Sequence, residues 1–445
     1  MNEIPKSTLP AALEEPYQGY TYTYPHKSAY REVMPPRSLQ SIWENEPIER
    51  RFLYLHIPFC EMRCGFCNLF TVANPKEDVE TAYLAALRRE AEAVSTATNG
   101  IATAPVQIAM GGGTPTYLQP EQLAEVFNFM AQWFLANPSV IPCSIETSPK
   151  TATPERLQLI RERGVQRVSI GVQSFLEAEA RAMGRPQKTT EVEAALNEIR
   201  NHDFSVLNID LIYGAAEQTV DSWTGSLRRT LDWAPEEVYL YPLYVRPRTG
   251  LDGRASVWDA HRLMLYRVGR DFLRDAGYEQ ISMRHFRKPG DFGDVAGEYS
   301  CQEDGMIGLG PGARSYTQNF HYAMNFAVSR TSVMRVLGDY VAKGANDFSY
   351  VNHGIALDQA ERARRYLLKS ILRCEGLDKV RFTELFGREP MAAFPELRDL
   401  VRMGLMDAQT KRIVPTTSGL ERSDAIGPWL YSASVTERMA AFETL

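Results

Sequence analysis

The chain of 445 residues is 44% hydrophobic and 23% charged, enough to bury a large core and long enough for one big domain with additions. Its formal net charge of -6 offers no general attraction for phosphate backbones or anionic lipid, so neither nucleic acid nor a membrane is expected as a partner. No segment reaches the roughly 18 uninterrupted apolar residues of a membrane span and no signal pattern opens the chain; six cysteines, three of them crowded into eight residues, do not read as a disulfide framework, so a cytoplasmic location is expected.

Residues 1–48 are rich in Pro and Tyr (YQGYTYTYPHKSAYREVMPPRS) and read as an extended N-terminal arm wrapping the main domain. From Arg51 onward, short β-rich runs alternate with longer helical patterns, the sign of a parallel sheet covered by helices. Strands are predicted at 52–57, 106–110, 143–147, 167–171, 206–212, 237–244 and 279–284, and helices at 77–98, 119–136, 153–163, 190–202, 220–233 and 258–276. Thr153 before Pro154 and Glu155 reads as a helix start, and Gly164 and Gly277 as helix ends. The fold class is α/β: a partial (β/α)6 TIM-like barrel over 49–285, or a full (β/α)8 barrel if two units escape detection. Residues 286–355 form a glycine-rich, irregular extension on the substrate side. From Ala356, three helical patterns and a hairpin pattern predict a winged-helix-like helical domain over 356–445. Its stretch FPELRDLVRMGL mixes Glu and Asp with Arg, so it is expected to cap the barrel rather than bind DNA.

In such folds, chemistry sits where strands hand over to helices. The unusual residues fall there: the cysteines after the first strand, GGGTPT after the second, ETSPK after the third, GVQSF after the fourth, DLIYG after the fifth and YPLYVRPRTG after the sixth. Cys60, Cys64 and Cys67, at spacing C-x3-C-x2-C, supply three thiolates from one loop. A closed zinc site would want a fourth ligand, and His56 stands on the strand before them. For a [4Fe-4S] cluster, usually held by four cysteines, three leave one iron open to an exogenous ligand. The glycines of Gly111–Thr116 let the backbone approach a ligand, although Pro120 after them also fits a plain turn. Asp210 lies on an otherwise apolar strand beside Asn208, where its carboxylate needs either a ligand hydroxyl or an internal hydrogen bond.

These motifs, with Phe66 before the last cysteine and with GGGTPT, SIET, RVSIGVQSF and NIDLIYG in order, resemble the radical S-adenosylmethionine (SAM) superfamily over roughly residues 50–320. More narrowly, they resemble its oxygen-independent coproporphyrinogen III oxidase-like branch, whose relatives include haem chaperones and radical SAM methyltransferases. The resemblance implies a [4Fe-4S] cluster on Cys60, Cys64 and Cys67, with SAM chelating the fourth iron and yielding a 5′-deoxyadenosyl radical that abstracts hydrogen from substrate. It implies that Phe66 contacts adenine through its backbone, that Gly112, Gly113 and Thr114 receive the methionine moiety, and that Gln173, Arg185 and Asp210 complete the polar shell. Tyr54 and Glu146 match positions lining a second SAM site; the alternatives are a core tyrosine and a carboxylate capping the turn at 149–153. One or two SAM molecules, a small-molecule substrate with a tetrapyrrole as candidate, and a reductant such as flavodoxin or ferredoxin follow from the resemblance. It implies a hydrogen-abstracting oxidoreductase, with two-SAM methyl transfer and a haem-binding carrier as the alternatives.

Two departures stand out. Asn68 and Leu69 follow Cys67 where the oxidase has a further cysteine, and the run Glu298–Gln302 replaces the chaperone signature, with Cys301 near the place of its tryptophan. Cys301 precedes a glycine-rich loop expected to close on the barrel mouth and is the candidate catalytic thiol, against the alternative of a small semi-buried residue. Arg314, Tyr316 and His321 are candidate substrate contacts, and Cys143 and Cys374 read as core.

Overall fold

After an arm that contributes strand β1 (Arg31–Ser38), six parallel strands in sequence order form the centre of the computed structural model, which describes residues 9–47, 50–100, 102–253, 257–290 and 300–442. They are β2 (Arg51–Ile57), β3 (Gln107–Gly112), β4 (Cys143–Thr147), β5 (Arg167–Gln173), β6 (Val206–Tyr213) and β7 (Glu237–Pro242). The helices that follow them are α1 (Glu77–Ala97), α2 (Pro120–Phe134), α3 (Pro154–Glu162), α4 (Glu177–Ala182) with α5 (Thr189–Asn201), α6 (Val220–Asp232) and α7 (Asp259–Asp275). Pro154 opens α3 without a side-chain cap from Thr153, and Gly164 and Gly277 close α3 and α7 at φ +90° and +86°, where a Cβ would be strained. The two faces of the sheet differ in chemistry. Leu53, Leu55, Ile108, Met110, Val168 and Ile170 are buried toward the helices, whereas Tyr54, Glu146, Asp210, Tyr239 and Tyr241 alternate onto the concave face.

The strand expected at 279–284 is instead a hairpin, β8 (Glu279–Gln280) with β9 (His285–Arg287), and β9 runs antiparallel to β7. The glycine-rich segment is more regular than expected. It holds β10 (Gly305–Leu309), β11 (Arg314–Tyr316) and β12 (Phe320–Ala323), which β13 (Tyr350–Ala356) joins to β1. β10 lies parallel beside β2, so the strand order is β1-β13-β12-β11-β10-β2-β3-β4-β5-β6-β7-β9-β8. The helix-crossed units number six among the described residues. The glycines are there for packing: the Arg314 carbonyl occupies the place a Cβ on Gly308 would take.

Beyond α8 (Arg330–Ala342), the helical patterns form α9 (Gln359–Ile371), α10 (Lys379–Phe386) and α11 (Glu396–Arg402). With β14 (Leu377–Asp378), β15 (Met406–Ala408) and β16 (Arg412–Pro415) they make a winged-helix-like arrangement, followed by α12 (Ser423–Trp429) and α13 (Ala433–Ala440). Tyr24 and Tyr30 of the arm share an apolar cluster with Leu367, Leu368 and Leu430, so the arm joins this region to the sheet. No helix among the described residues is long and apolar enough to cross a membrane.

Charge holds the α12 region on the end of the sheet formed by β7 and β9 and on α7. Buried Asp424 takes the Arg284 guanidinium and, at 2.5 Å, the Tyr244 hydroxyl, while Glu421 pairs with Arg267 at 2.8 Å and with Arg270 at 3.4 Å. The Arg284 and Asp424 side chains are 4% and 1% exposed, so removing one partner strands the other charge. Asp424→Asn should therefore cost about 3 kcal/mol in denaturant unfolding, and adding Arg284→Met should recover part of it. A single-mutant loss below about 1 kcal/mol would contradict this account.

Candidate functional site

The chain leaves β2 at Ile57 and enters the cysteine loop, which three neighbouring strand-end loops hold in place. From the glycine loop, Gly113 N–H donates to the Ile57 carbonyl at 2.8 Å and Thr114 N–H to the Phe59 carbonyl at 2.7 Å. Gly65 N–H donates to the Gly184 carbonyl at 3.1 Å, and Leu251 N–H to the Gly65 carbonyl at 2.9 Å. A Cβ on Gly65 would stand 2.8 Å from the Met183 carbonyl oxygen, so the close approach requires glycine. The loop closes on itself through Val72 N–H to the Pro58 carbonyl and Asn74 N–H to the Cys60 carbonyl.

His56 serves this loop without being a ligand. Its Nε2–H donates to the Phe70 carbonyl at 2.8 Å, leaving Nδ1 toward the Tyr54 hydroxyl at 3.4 Å. Burial pushes the imidazole down to about 4, so it is neutral.

Each thiol has its own polar neighbour: the Thr114 hydroxyl donates to Cys60 Sγ at 3.6 Å, Arg185 Nη1 donates to Cys64 Sγ at 3.1 Å, and Cys67 Sγ lies 3.8 Å from the Thr71 hydroxyl. Burial raises the pKa of Cys60 and of Cys67, so thiolates there need a compensating cation. No group of three or more His, Cys, Asp or Glu side chains among the described residues gathers as the ligand set of one ion. A cluster spreads three thiolates over three irons, and donors aimed at Cys60 and Cys64 sulfur fit that chemistry.

The other candidate residues face the same strand ends. Gly112, at φ +110°, donates its N–H to Glu146 Oε2 at 3.1 Å, and a Cβ there would lie 2.5 Å from the His56 ring. Glu146 thus does not cap the turn at 149–153, which Ser148 and Thr151 hold themselves. Arg185 also donates Nη2–H to the Gly171 carbonyl at 2.8 Å, and its Nε to Gln187 at 3.0 Å, so its fork is fixed. Gln173 takes φ +68°, a conformation uncommon outside glycine. Asp210 has internal partners, accepting from Asn208 Nδ2 at 2.7 Å and the Ser169 hydroxyl at 3.5 Å. Phe66 packs beside Met183, Ile212, Ala215, Leu243 and Leu251, an apolar patch next to the cysteines.

Cys301 does not join them. It lies four residues before β10, whose Gly305 is level with Arg51 at the start of β2; the Arg50–Asp304 ion pair marks that end. The cysteine loop follows the other end of β2, about 20 Å away at roughly 3.3 Å per residue. The expectation that Cys301 stands at the closing mouth fails because the glycine loop and Cys301 flank opposite ends of one strand. Arg365 fixes the Cys301 and Gln302 carbonyls, and Cys301 itself is half-buried; Glu298 and Tyr299 lie outside the described residues. Cys143 is buried, but Cys374 is half-buried just beyond α9, with its N–H on the Ile281 carbonyl. Arg314, Tyr316 and His321 reach the concavity from β11 and β12. The sequence reading missed Ser169, which its strand pattern hides, and did not single out two cations, Lys27 within the arm and Arg246 within the YPLYVRPRTG loop.

Residues 54–228 match the Radical SAM superfamily. The oxygen-independent coproporphyrinogen III oxidase of Bradyrhizobium diazoefficiens is 32% identical over 311 residues, covering 64% of this chain and 69% of that one. The haem chaperone of Bacillus subtilis is 26% identical over 377 residues, 82% of this chain and 95% of that one. The solved structure of Escherichia coli coproporphyrinogen III oxidase, described as a radical SAM enzyme, superposes with a TM-score of 0.78 at 25% identity, covering 92% of this chain and 96% of that one.

Burial raises Glu146 to about 7 and Asp210 to about 6, above the usual carboxylate range. Folding therefore favours their protonated forms. Their contribution to stability is complete below about pH 4 and is lost as pH rises through 6 to 7. Glu146 keeps contact with water on the concave face, which limits the size of the effect. The thermal midpoint of cluster-free protein should fall across this window, and Glu146→Gln should flatten the slope; an unchanged slope would contradict the assignment.

Proposed function

The chain belongs to the radical SAM superfamily, in its oxygen-independent coproporphyrinogen III oxidase-like branch, and from that premise we propose which residues serve its cofactors and which substrate class it takes. It is a radical SAM enzyme, and its family implies a [4Fe-4S] cluster and SAM. We assign the cluster to Cys60, Cys64 and Cys67. The observation that carries this is the set of donors on sulfur: Thr114 toward Cys60 and Arg185 toward Cys64, from loops that follow two different strands. When bound, cluster and SAM supply one-electron cleavage of a sulfonium and the removal of hydrogen from an unactivated C–H bond.

The protein's own groups position and shield that chemistry. Gly112 and Gly113 bring bare backbone to the methionine end of SAM, Arg185 offsets thiolate charge and suits a carboxylate, and the patch around Phe66 offers an apolar seat for adenine. Gln173 and Asp210 complete the polar side of the same seat, with Asp210 oriented by Asn208 and Ser169. The polar concavity beyond them receives the substrate, which we take to be a carboxylate-bearing tetrapyrrole, as the names of the relatives suggest. A one-electron carrier of the flavodoxin or ferredoxin kind supplies the electron.

A second reading has its own support. Glu146 and Tyr54 face the concavity from the two strands that flank β3, with the Glu146 carboxylate open to solvent, and they suit a second SAM for two sequential abstractions or for methyl transfer. The likeness to the Bacillus subtilis haem chaperone favours a haem carrier less, because this chain lacks the run before the glycine loop that the chaperones carry.

Anaerobic reconstitution with iron and sulfide, reduction and addition of SAM tests the enzyme reading. Wild-type protein should form 5′-deoxyadenosine, and Cys64→Ala should lose both the iron–sulfur absorbance and the product. A fully loaded wild-type protein that makes no deoxyadenosine, with coproporphyrinogen III present as well as absent, would contradict it.

A further inference from the structure

Most buried cations of this protein meet a carboxylate: Arg167 pairs with Glu237 at 2.8 Å, Arg270 with Glu421 and Arg284 with Asp424. Around the concavity, Lys27, Arg314 and Arg246 have neither a carboxylate nor a thiol partner among the described residues. Lys27, on the arm, is only 9% exposed, and its Nζ stands 3.8 Å above the Phe326 ring with no hydrogen bond or ion pair. Arg314, on β11, lies beside Gly308, the neighbour in register of Tyr54; its guanidinium packs 4.5 Å from the Tyr22 ring, and its Nη1 is buried without a partner. Arg246, in the loop after β7, stacks 4.1 Å over Tyr244.

Lys27 and Arg314 share one neighbourhood: the His26 ring lies 6.1 Å from the Phe326 ring beneath Lys27 and 5.9 Å from the Tyr22 ring beside Arg314, and burial together with the fields of Lys27, Arg314 and Arg246 pushes its imidazole down to about 3. Ring faces offset only part of the desolvation of a buried cation. The carboxylates that the central strands present to the concavity have other partners: Glu146 the Gly112 N–H, Asp210 the Asn208 and Ser169 side chains, and Glu237 the Arg167 guanidinium. An unsatisfied guanidinium nitrogen beside two further unpaired cations is a site that waits for anions.

We propose that Lys27, Arg314 and Arg246 bind ionised carboxylates of the substrate, so that the N-terminal arm is a wall of the substrate site and Lys27 a specificity-determining residue. The proposal rests on the reading above that the substrate is a carboxylate-bearing tetrapyrrole. It requires a ligand with at least two carboxylates, one to reach the arm and one to reach β11 or the loop after β7. Arg314 offers a planar fork suited to bidentate pairing, and Lys27 offers a point charge.

The test is fluorescence titration of the anaerobically reconstituted holoprotein with coproporphyrin III and with its tetramethyl ester, which keeps the ring and removes the charges. The wild type should bind the acid at least about tenfold more tightly than the ester. Lys27→Met and Arg314→Gln should each weaken the acid about tenfold and leave the ester unchanged, and Lys27→Arg should restore most of the affinity. Equal affinity for acid and ester, no binding of the acid by the wild type, or variants with wild-type affinity for the acid would each overturn the proposal. The wild-type comparison decides even if a variant does not fold. Deoxyadenosine formed from SAM by the same preparation without porphyrin reads the enzyme assignment separately. Its presence with no acid preference overturns the carboxylate site alone, and its absence with the preference intact overturns the radical assignment alone.

Discussion

The site depends on how tightly His56 is enclosed. Its ring fills the space that a Cβ on Gly112 would enter at 2.5 Å, and a Cβ on Gly312 would collide with the same ring. Two loops from opposite neighbours of β2 therefore close on one neutral imidazole, whose Nε2–H holds the Phe70 carbonyl where the cysteine loop returns. Tyr83 donates its hydroxyl to the His56 carbonyl from α1 below. A thiol-bearing loop of irregular backbone would otherwise be among the most mobile parts of such a fold. Here its ends are fixed by the protein's own hydrogen bonds and packing, which is what positioning catalysis requires.

That enclosure sits at the C-terminal ends of the central strands, in a sheet whose two faces do opposite work. Toward the helices the strands present Leu, Ile, Val and Met, which supply the apolar burial that keeps the fold together. Toward the concavity they present tyrosines, two carboxylates raised by burial, and a wall of cations without carboxylate partners. Stability alone would not select such a lining, because each unsatisfied buried polar group opposes folding. A chamber that takes charged cofactor and charged substrate accounts for it, with the ligands completing pairs that the protein leaves open.

The six β/α units were legible in the sequence because their signals are local: apolar alternation within each strand, proline at helix starts and glycine at helix ends, as at Pro154 and Gly164. The extra strands β10, β11 and β12 were not. They are three to five residues long, β10 and the turn after it carry glycines that look like loop, and the set pairs with β2 and β13 far away in sequence. The cysteine motif and the glycine loop gave away the cofactor end of the site, since both the ligands and the close approach are written in residue type. Cys301 misled for a geometric reason: nearness in sequence to a glycine-rich loop does not say which end of the intervening strand a residue occupies. Lys27 and Arg246 were invisible because an unpaired cation is defined by the carboxylates that are missing around it, which only the folded chain reveals.

The central claim is that three cysteines leave one iron of a [4Fe-4S] cluster open to SAM. Electron paramagnetic resonance of the reduced, reconstituted protein, recorded with and without SAM, tests it most directly. The account predicts a cluster signal whose g values shift when SAM is added, with electron–nuclear coupling to 15N or 17O placed in the amino and carboxylate groups of its methionine moiety. A [4Fe-4S] signal that SAM leaves unchanged and uncoupled, or protein that binds one zinc ion in place of the cluster, would contradict it.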